Sequence, residues 1–267
     1  MKNESKRLHF IYAFELMKEF DDVKHFPDEV RSAAERYIVD VIYESYVVTA
    51  DEDYLMARLL ARKGLYRGFF WGAAQAIEKY LKAILLMNGV AINDYQHHIN
   101  KLFSDACNID GSIANIDISP HQSITVEPWA LGRLICFEVA AFINEIEKHG
   151  SPNNRYNTLG VQYNTGHLFA LDSLIFQLRK RIGVPDIHES FRRQSEELMS
   201  SFETNNFWFE HKTVNSPIAI PNKDNPIVQT FSVTKLEFLL KNKNNIQCGL
   251  ALRWLRLKMK LPKTLKK

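Results

Sequence analysis

The sequence lacks any long apolar run, which argues against a membrane-spanning protein. The longest candidate, 129–143, is interrupted by Arg133 and Glu138, and no stretch of eighteen residues is both apolar and uncharged. A transmembrane helix needs about 20 consecutive apolar residues. The first residues are charged, whereas a secretion signal would have an apolar segment there. We therefore expect no membrane partner.

Cysteine is also scarce, with three residues in the chain, Cys107, Cys136 and Cys248. An odd and widely spaced set is the pattern of neither a disulfide framework nor a zinc site. The adjacent His97 and His98 point in different directions, so they are poorly placed to share one metal ion. The sequence therefore predicts a cytoplasmic protein with no metal and no cofactor.

A phosphate-binding loop is missing too, although three glycines occur four residues apart. Gly64, Gly68 and Gly72 are not followed by the Gly-Lys-Ser or Gly-Lys-Thr that completes such a loop. P-loop kinases are thereby disfavoured, and Rossmann enzymes, serine hydrolases and zinc enzymes find no support in these residues either. We expect the glycines to serve a turn near Gly64 and close packing against a neighbouring helix.

The sequence is rich in hydrophobic residues, and its charged residues are unevenly distributed along the chain. Hydrophobic residues make up 46% of the 267 residues, enough for a proper core. The net charge is only +3, yet 235–267 contains ten Lys and Arg against one Asp or Glu. The remaining residues contain 24 against 30. The C-terminal segment is therefore strongly basic, and the rest is mildly acidic.

Apolar residues recur at helical spacing through most of the first 203 residues. The predicted helices are 7–20, 27–47, 51–64, 66–88, 98–107, 127–148, 167–182 and 186–202, with a loop at 107–126. After 206 the spacing is lost among prolines, and 218–220 and 227–233 are predicted as short strands or extended arms. Helical spacing returns at 233–240 and 246–259. We divide the chain into N-terminal helices (1–50), a helical bundle (51–203) and a basic C-terminal extension (204–267).

The helix at 66–88 carries the most specific motif. Its core reads Gln75-Ala76-Ile77-Glu78-Lys79-Tyr80-Leu81-Lys82-Ala83, preceded by Gly64-Leu65-Tyr66 and followed by His97-His98-Ile99-Asn100-Lys101-Leu102. Together with Arg155-Tyr156-Asn157, this resembles the HEPN family (higher eukaryotes and prokaryotes nucleotide-binding). The family has Asp where His98 stands and Pro where Asn157 stands. The resemblance covers roughly 50–183.

This resemblance implies an all-α fold built on a HEPN-like helical bundle, to which the rest of the sequence adds extra N-terminal helices and a mixed, basic C-terminal extension. It also implies a function linked to RNA or nucleotide, and a homodimer formed through the 66–88 region. Catalytic HEPN ribonucleases carry an Arg, four to six residues and then a His. Arg181 and His188 fit that spacing, but Gly183 and Pro185 between them break the helix.

A second candidate catalytic pair is Arg155 and His167, which a loop could bring together although their spacing fails the pattern. The alternative is that Arg155 caps a turn and His167 starts a helix. Candidate nucleotide or RNA contacts are Lys79, Lys82 and His97. The alternative for the two lysines is a solvated face with a Glu78–Lys82 pair.

The basic tail supplies the clearest charge signal. Clustered cations attract phosphates, and an exposed Trp can stack on a base. The candidate contacts are Arg253, Trp254, Arg256, Lys258 and Lys260. The same segment could instead dock on the acidic body of this chain, on an acidic protein partner or on a membrane surface.

We expect a HEPN-like protein that binds RNA or nucleotide without cleaving it, in a bacterial stress, toxin–antitoxin or phage-defence setting. One alternative is a metal-independent RNA endonuclease with a divergent Arg/His pair. Another is a helical adaptor that binds a cognate protein partner.

Overall fold

The regular structure is helical. The computed structural model describes residues 19–124, 134–152, 154, 160–184, 187, 196–204, 206, 208–209 and 234–261, and these contain no β-strand. The α-helices are α1 (Asp28–Ile42), α2 (Thr49–Arg62), α3 (Tyr66–Met87), α4 (Ile99–Ile109), α5 (Val139–Gly150), α6 (Thr165–Ile182), α7 (Glu196–Glu203), α8 (Lys235–Lys241) and α9 (Ile246–Lys258). The predicted all-α class is confirmed for this part of the chain.

The first two helices form one continuous helical segment rather than two separate helices. A π-type turn, Tyr43–Val48, joins α1 directly to α2, so the predicted break near Val47 is absent. Asp51 and Glu52 still lie in the first turn of α2. The chain reverses only after Arg62, where Gly64 adopts φ +72° and α3 begins two residues later.

The central helix of the fold is α3. It packs against α2 along its length and also contacts α4, α5 and α6. Most of its side chains, including Phe69, Ile77, Tyr80 and Leu81, are buried. The motif helix predicted from the sequence is therefore the core of the bundle, because its apolar residues surround most of its circumference.

The contact of α3 with α5 depends on a glycine. A Cβ at Gly150 would lie 2.5 Å from the Cβ of Ala74 and still closer to the carbonyl oxygen of Phe70. Such an approach is open only to a residue without a side chain. The contact of α3 with α2 is similar at Gly72, where a Cβ would lie 3.1 Å from the Cβ of Ala57. The predicted close packing at Gly72 is therefore confirmed.

The small residues Ala76 and Ala83 give a direct test of this packing. Both are completely buried on α3. Replacing either with leucine adds three heavy atoms to a filled core, so we expect a loss of about 1–3 kcal/mol in the free energy of unfolding. Thermal and urea denaturation measure it. Unchanged stability of both variants would contradict the burial described for α3.

Two buried ion pairs join α2 to α6. Arg58 contacts Asp172, and Arg179 contacts Asp51, and all four side chains are at most 3% exposed. On each helix the acid precedes the arginine by seven residues, or about two turns. The pairs are therefore related by antiparallel packing, with the acid of one helix opposite the arginine of the other.

Tyrosine hydroxyls complete both pairs. The Tyr54 hydroxyl donates to Asp172 Oδ1 over 2.7 Å, and the Tyr80 hydroxyl donates to Asp51. Burial raises the pKa of both phenols well above the usual value, so they stay protonated and can donate. Arg58 also donates to the carbonyl oxygens of Ser201 (3.1 Å) and Thr204 (2.6 Å) and thereby holds the end of α7.

The C-terminal helices dock on the N-terminal part of the chain. Helix α9 packs against α1 and contributes Trp254, Leu255 and Ala251 to the shared hydrophobic core. Its end is fixed to the loop after α3, where the Ile92 N–H donates to the Lys258 carbonyl over 2.8 Å. One core therefore includes residues from all three predicted parts, and the division at 50 and 203 stays a prediction.

Several predicted helix limits need correction. The helix expected from 127 begins at Val139, and 134–138 are not helical. These residues are held instead by the loop before α6, since the Ile135 N–H donates to Asn164 Oδ1 over 3.2 Å. The described part of the helix expected from 186 is α7, and Ile187 is non-helical. The predicted strands at 218–220 and 227–233 lie outside the described residues, as does the predicted helix at 7–20 except for residues 19 and 20.

Candidate functional site

Two pockets lie side by side over the N-terminal half of α3. The first, of about 450 Å³, is enclosed by α3, α5 and residues 96–100 before and at the start of α4. The second, of about 320 Å³, is enclosed by α2, α3 and residues 149–154 at and after the end of α5. Ser151 lines both pockets. We call them the amide pocket and the His149 pocket.

Four carboxamide side chains contribute to the polar lining of the amide pocket. Gln75 comes from α3, Gln96 and Asn100 from the α4 end, and Asn144 from α5. Asn100 Nδ2 lies 3.5 Å from Asn144 Oδ1. A carboxamide has one oxygen acceptor and two donor hydrogens, so it can form hydrogen bonds with both acceptors and donors on the edge of a planar polar ligand.

The two carboxylates that line the amide pocket already have partners within the chain. Glu78 is buried, and its two oxygens contact Lys82 Nζ at 2.6 Å and His97 Nδ1 at 3.0 Å. Glu147 Oε2 accepts the backbone N–H of Asn100 over 2.5 Å at the N-terminus of α4. Lys148 and His98 line the same pocket.

Gln96 is held in a strained backbone conformation at the rim of this pocket. Its φ of 47° lies in the left-handed region, which is uncommon for residues other than glycine. Lys82 Nζ, which also pairs with Glu78, donates to the Gln96 carbonyl oxygen over 2.9 Å. Strain of this kind persists only where the surroundings enforce it, and it is concentrated at functional sites.

The His149 pocket is more apolar and contains a second set of polar groups. Met56 of α2 and Trp71 of α3 line it together with Arg67 and His149. Among the described residues, Nδ1 of His149 is buried without a hydrogen-bond partner. Burial lowers the pKa of His149, and the nearby Glu145 carboxylate offsets this only in part. The imidazole is therefore neutral at physiological pH.

The lowered pKa of His149 predicts a pH dependence of stability. Below its ordinary pKa of 6.5 the unfolded chain binds a proton that the folded chain resists, so the free energy of unfolding should fall as the pH drops below about 6.5. Urea denaturation from pH 5 to 8 measures this slope. The His149→Gln variant should show a weaker slope over the same window, and an unchanged slope would contradict the assignment.

Of the two predicted catalytic pairs, the structure describes one residue of each, His167 and Arg181. Arg155 and His188 lie outside the described residues. His167 is 1% exposed, and its Nδ1 accepts the Asn164 N–H over 3.0 Å while Nε2 lies 3.0 Å from Glu145 Oε1. Both ring nitrogens are thus engaged in capping and packing α6, which agrees with the helix-start alternative.

Arg181 has structural contacts of its own. Its guanidinium lies 3.5 Å from the Asp110 carboxylate and donates to the Ser112 hydroxyl over 3.0 Å. These contacts tie the end of α6 to the 3-10 turn Gly111–Asn115. Neither His167 nor Arg181 lines either of the two pockets.

Of the residues predicted on the motif helix, Lys79 and Lys82 form intramolecular pairs. Lys79 Nζ contacts Asp53 Oδ2 at 2.6 Å, and Lys82 has the predicted Glu78 partner. His97 does line the amide pocket, with 59% of its side chain exposed. Sequence reasoning missed Gln75, Asn144, Arg67 and His149, whose only signal is their place on opposing helices.

The structure corrects the prediction for Trp254. The side chain is 1% exposed and belongs to the core, so its indole is not available to stack on a base. Arg253 pairs with Asp22 at 2.7 Å, and Lys258 is 8% exposed and pairs with Glu19 at 2.6 Å. The self-docking alternative therefore describes these three residues. Arg256 and Lys260 are exposed.

Comparison with known proteins supports the family resemblance. Across the described residues, none of the helices combines the length and apolar character needed to span a bilayer. No curated protein and no solved structure is significantly similar to the chain. A family model described as HEPN domain matches residues 43–119, the segment that contains α2, α3 and α4. The resemblance predicted from the sequence is thus confirmed, and residues 43–119 of this chain match the HEPN domain family.

Proposed function

We propose that the chain binds RNA or a nucleotide in the two pockets over α3 and does not cleave it. A link to nucleotides or RNA is what a HEPN domain suggests. The single observation that carries the proposal is the amide pocket, because it is built largely on α3 and α4 of the matched segment and four of its lining side chains are carboxamides. Asn and Gln side chains are well suited to the donor and acceptor edges of bases.

The proposal of binding without cleavage rests on His167, the described histidine of the predicted catalytic pairs. It is buried with both ring nitrogens engaged. A general base needs a ring nitrogen that can reach the proton it removes. We further propose a cytoplasmic setting in bacterial stress, toxin–antitoxin function or phage defence, as the family resemblance implies.

Binding is tested with fluorescently labelled oligoribonucleotides and with mononucleotides in anisotropy and competition measurements. The double variant Gln75→Ala, Asn144→Ala removes two pocket carboxamides from partly exposed positions and should weaken binding by about 1–3 kcal/mol. Asn115→Ala, an exposed carboxamide on the 3-10 turn, is the matched control. Equal affinity of all three proteins would refute the amide pocket as the site.

Metal-independent RNA cleavage is the second candidate, and one observation favours it. Arg67 and His149 line the same pocket, although 81 residues separate them in the sequence, so no spacing pattern could reveal them. A neutral imidazole could accept a 2′-hydroxyl proton, and a guanidinium could stabilise the phosphate. Incubation with total RNA in chelator, followed by mapping of the ends, separates the two functions. Discrete cyclic-phosphate ends that His149→Ala abolishes would establish the enzyme.

Two further expectations concern protein partners. Neither binding nor cleavage in these assays would favour the adaptor function with a cognate protein. The predicted homodimer stays a prediction. Because most of α3 is buried within one chain, its exposed N-terminal residues and its neighbours would have to supply such an interface. Light scattering at micromolar concentration measures it.

A further inference from the structure

We propose that the turn between α2 and α3, residues 62–67, is a stacking platform for an unpaired base of single-stranded RNA. This inference rests on the proposed function. It adds a second contact, outside the pocket, for a single-stranded RNA that is bound there. The turn is tightly held, since Gly64 has φ +72° and the Leu65 N–H donates to the Leu60 carbonyl over 2.8 Å. A platform on this turn therefore has a fixed position.

An aromatic ring is presented on this turn. Tyr66 stacks on Tyr163 with the ring centroids 4.2 Å apart and the planes 8° from parallel. Phe69 supports Tyr163 from its edge, with centroids 5.2 Å apart. Tyr66 nevertheless remains 40% exposed. Tyr163 covers one face of the ring, so the opposite face is the one on which we expect a base to stack.

Cations neighbour Tyr66 in the sequence. Arg62, Lys63 and Arg67 are all exposed, so three positive charges lie within the six residues 62–67, and Arg62 donates to the Ser200 carbonyl oxygen over 3.0 Å. Lys63 contacts Glu197 at 2.7 Å, but both side chains are more than half exposed, and such pairs contribute little. An exposed ring flanked by cations is the combination by which proteins bind single strands, with bases on the ring and phosphates on the charges.

The platform adjoins the proposed binding site. Arg67 and Gly68 line the His149 pocket, and they directly follow Tyr66 in the first turn of α3. Leu65 occupies the N-cap, and a leucine side chain cannot accept the N–H groups of that turn. A strand that places a base on Tyr66 would thus bring a phosphate to Arg67 and to the positive end of the helix. A duplex keeps its bases stacked internally, so the platform selects unpaired bases.

The test compares Tyr66→Leu with Tyr66→Phe in anisotropy measurements on labelled oligouridylate. The leucine variant should bind the single strand about 5- to 150-fold more weakly, because base stacking on the ring is lost. The phenylalanine variant keeps the ring and should retain wild-type affinity. Phe238→Leu on α8 is the matched control, since Phe238 is also 40% exposed and also packs on a tyrosine, Tyr37. Melting temperatures verify that each variant is folded.

Charge and position are tested separately. Changing Arg62, Lys63 and Arg67 to Gln should flatten the log–log salt dependence of single-strand binding by about 2. Oligouridylate carrying 5-iodouridine should cross-link to the peptide that contains Tyr66. If the wild-type chain binds RNA but Tyr66→Leu binds equally well, or duplex binds as tightly as single strand, the platform is refuted and the amide pocket stands. If the wild-type chain binds no RNA and no nucleotide, the proposed function and the platform both fail.

Discussion

The Asp172→Leu variant should lose about 3–5 kcal/mol in the free energy of unfolding, because the substitution leaves Arg58 buried and unpaired. Both side chains are at most 3% exposed in the native protein. The Tyr54 hydroxyl, which donates to Asp172, would also lose its acceptor. Urea denaturation monitored by circular dichroism measures the change. A stability loss of this size would make the variant only marginally folded at 37 °C.

Two comparisons isolate the effect of the unpaired charge. The double variant Arg58→Met, Asp172→Leu removes both charges and should be more stable than Asp172→Leu alone, since buried pairs are often replaceable by apolar residues. Its recovery should be partial, because Arg58 also binds the Ser201 and Thr204 carbonyls. Glu197→Gln breaks the exposed pair with Lys63 and should cost less than about 1 kcal/mol. Equal losses for Glu197→Gln and Asp172→Leu would contradict the burial of Asp172.

Replacing Trp254 with alanine in the wild-type chain should lower the free energy of unfolding by about 3–5 kcal/mol. Trp254 is the largest fully buried side chain among the described residues. Its removal would leave a cavity at the contact between α9 and α1. Thermal denaturation followed by tryptophan fluorescence of the three remaining indoles, and by circular dichroism, measures the change.

The same substitution separates a core role from a nucleic-acid role. Arg256→Ala, Lys260→Ala changes two exposed residues of the same segment and should leave stability within about 0.5 kcal/mol. If Trp254→Ala instead left stability unchanged and weakened single-strand binding, the indole would be a base contact and not part of the core. Binding is therefore measured at a temperature where every variant is folded.

The sequence predicted best what local periodicity determines. The start of α3 at Tyr66 and the end of α6 before Gly183 agree with the prediction within one residue. Gly89 and Gly183 have positive φ, as helix-ending glycines should. The start of α5 was predicted about twelve residues too early, because apolar residues in 127–138 carry helical spacing, while 134–138 are held by the loop before α6.

The candidate site was harder to predict because its residues are far apart in the sequence. Gln75 and Asn144 face one pocket from two helices, and Arg67 and His149 face the other. No spacing rule connects such positions without knowledge of how the helices pack. The basic tail illustrates a different difficulty. The sequence shows that the tail is basic, but it does not show that Trp254 and Lys258 are buried. Their burial follows from the docking of α9 on α1 and from the Lys258 contact with Glu19.

The two buried ion pairs also limit how this chain can be divided. Asp51 and Arg58 belong to the matched segment 43–119, whereas Arg179 and Asp172 lie outside it on α6. A parallel arrangement of α2 and α6 would set acid against acid, so the two pairs specify direction and alignment together. In a fragment that ends at 119, Asp51 and Arg58 would both lack their ion-pair partners. Residues 43–119 are therefore a recognisable sequence unit, and we expect their stability to depend on Asp172 and Arg179, which lie beyond the end of the match.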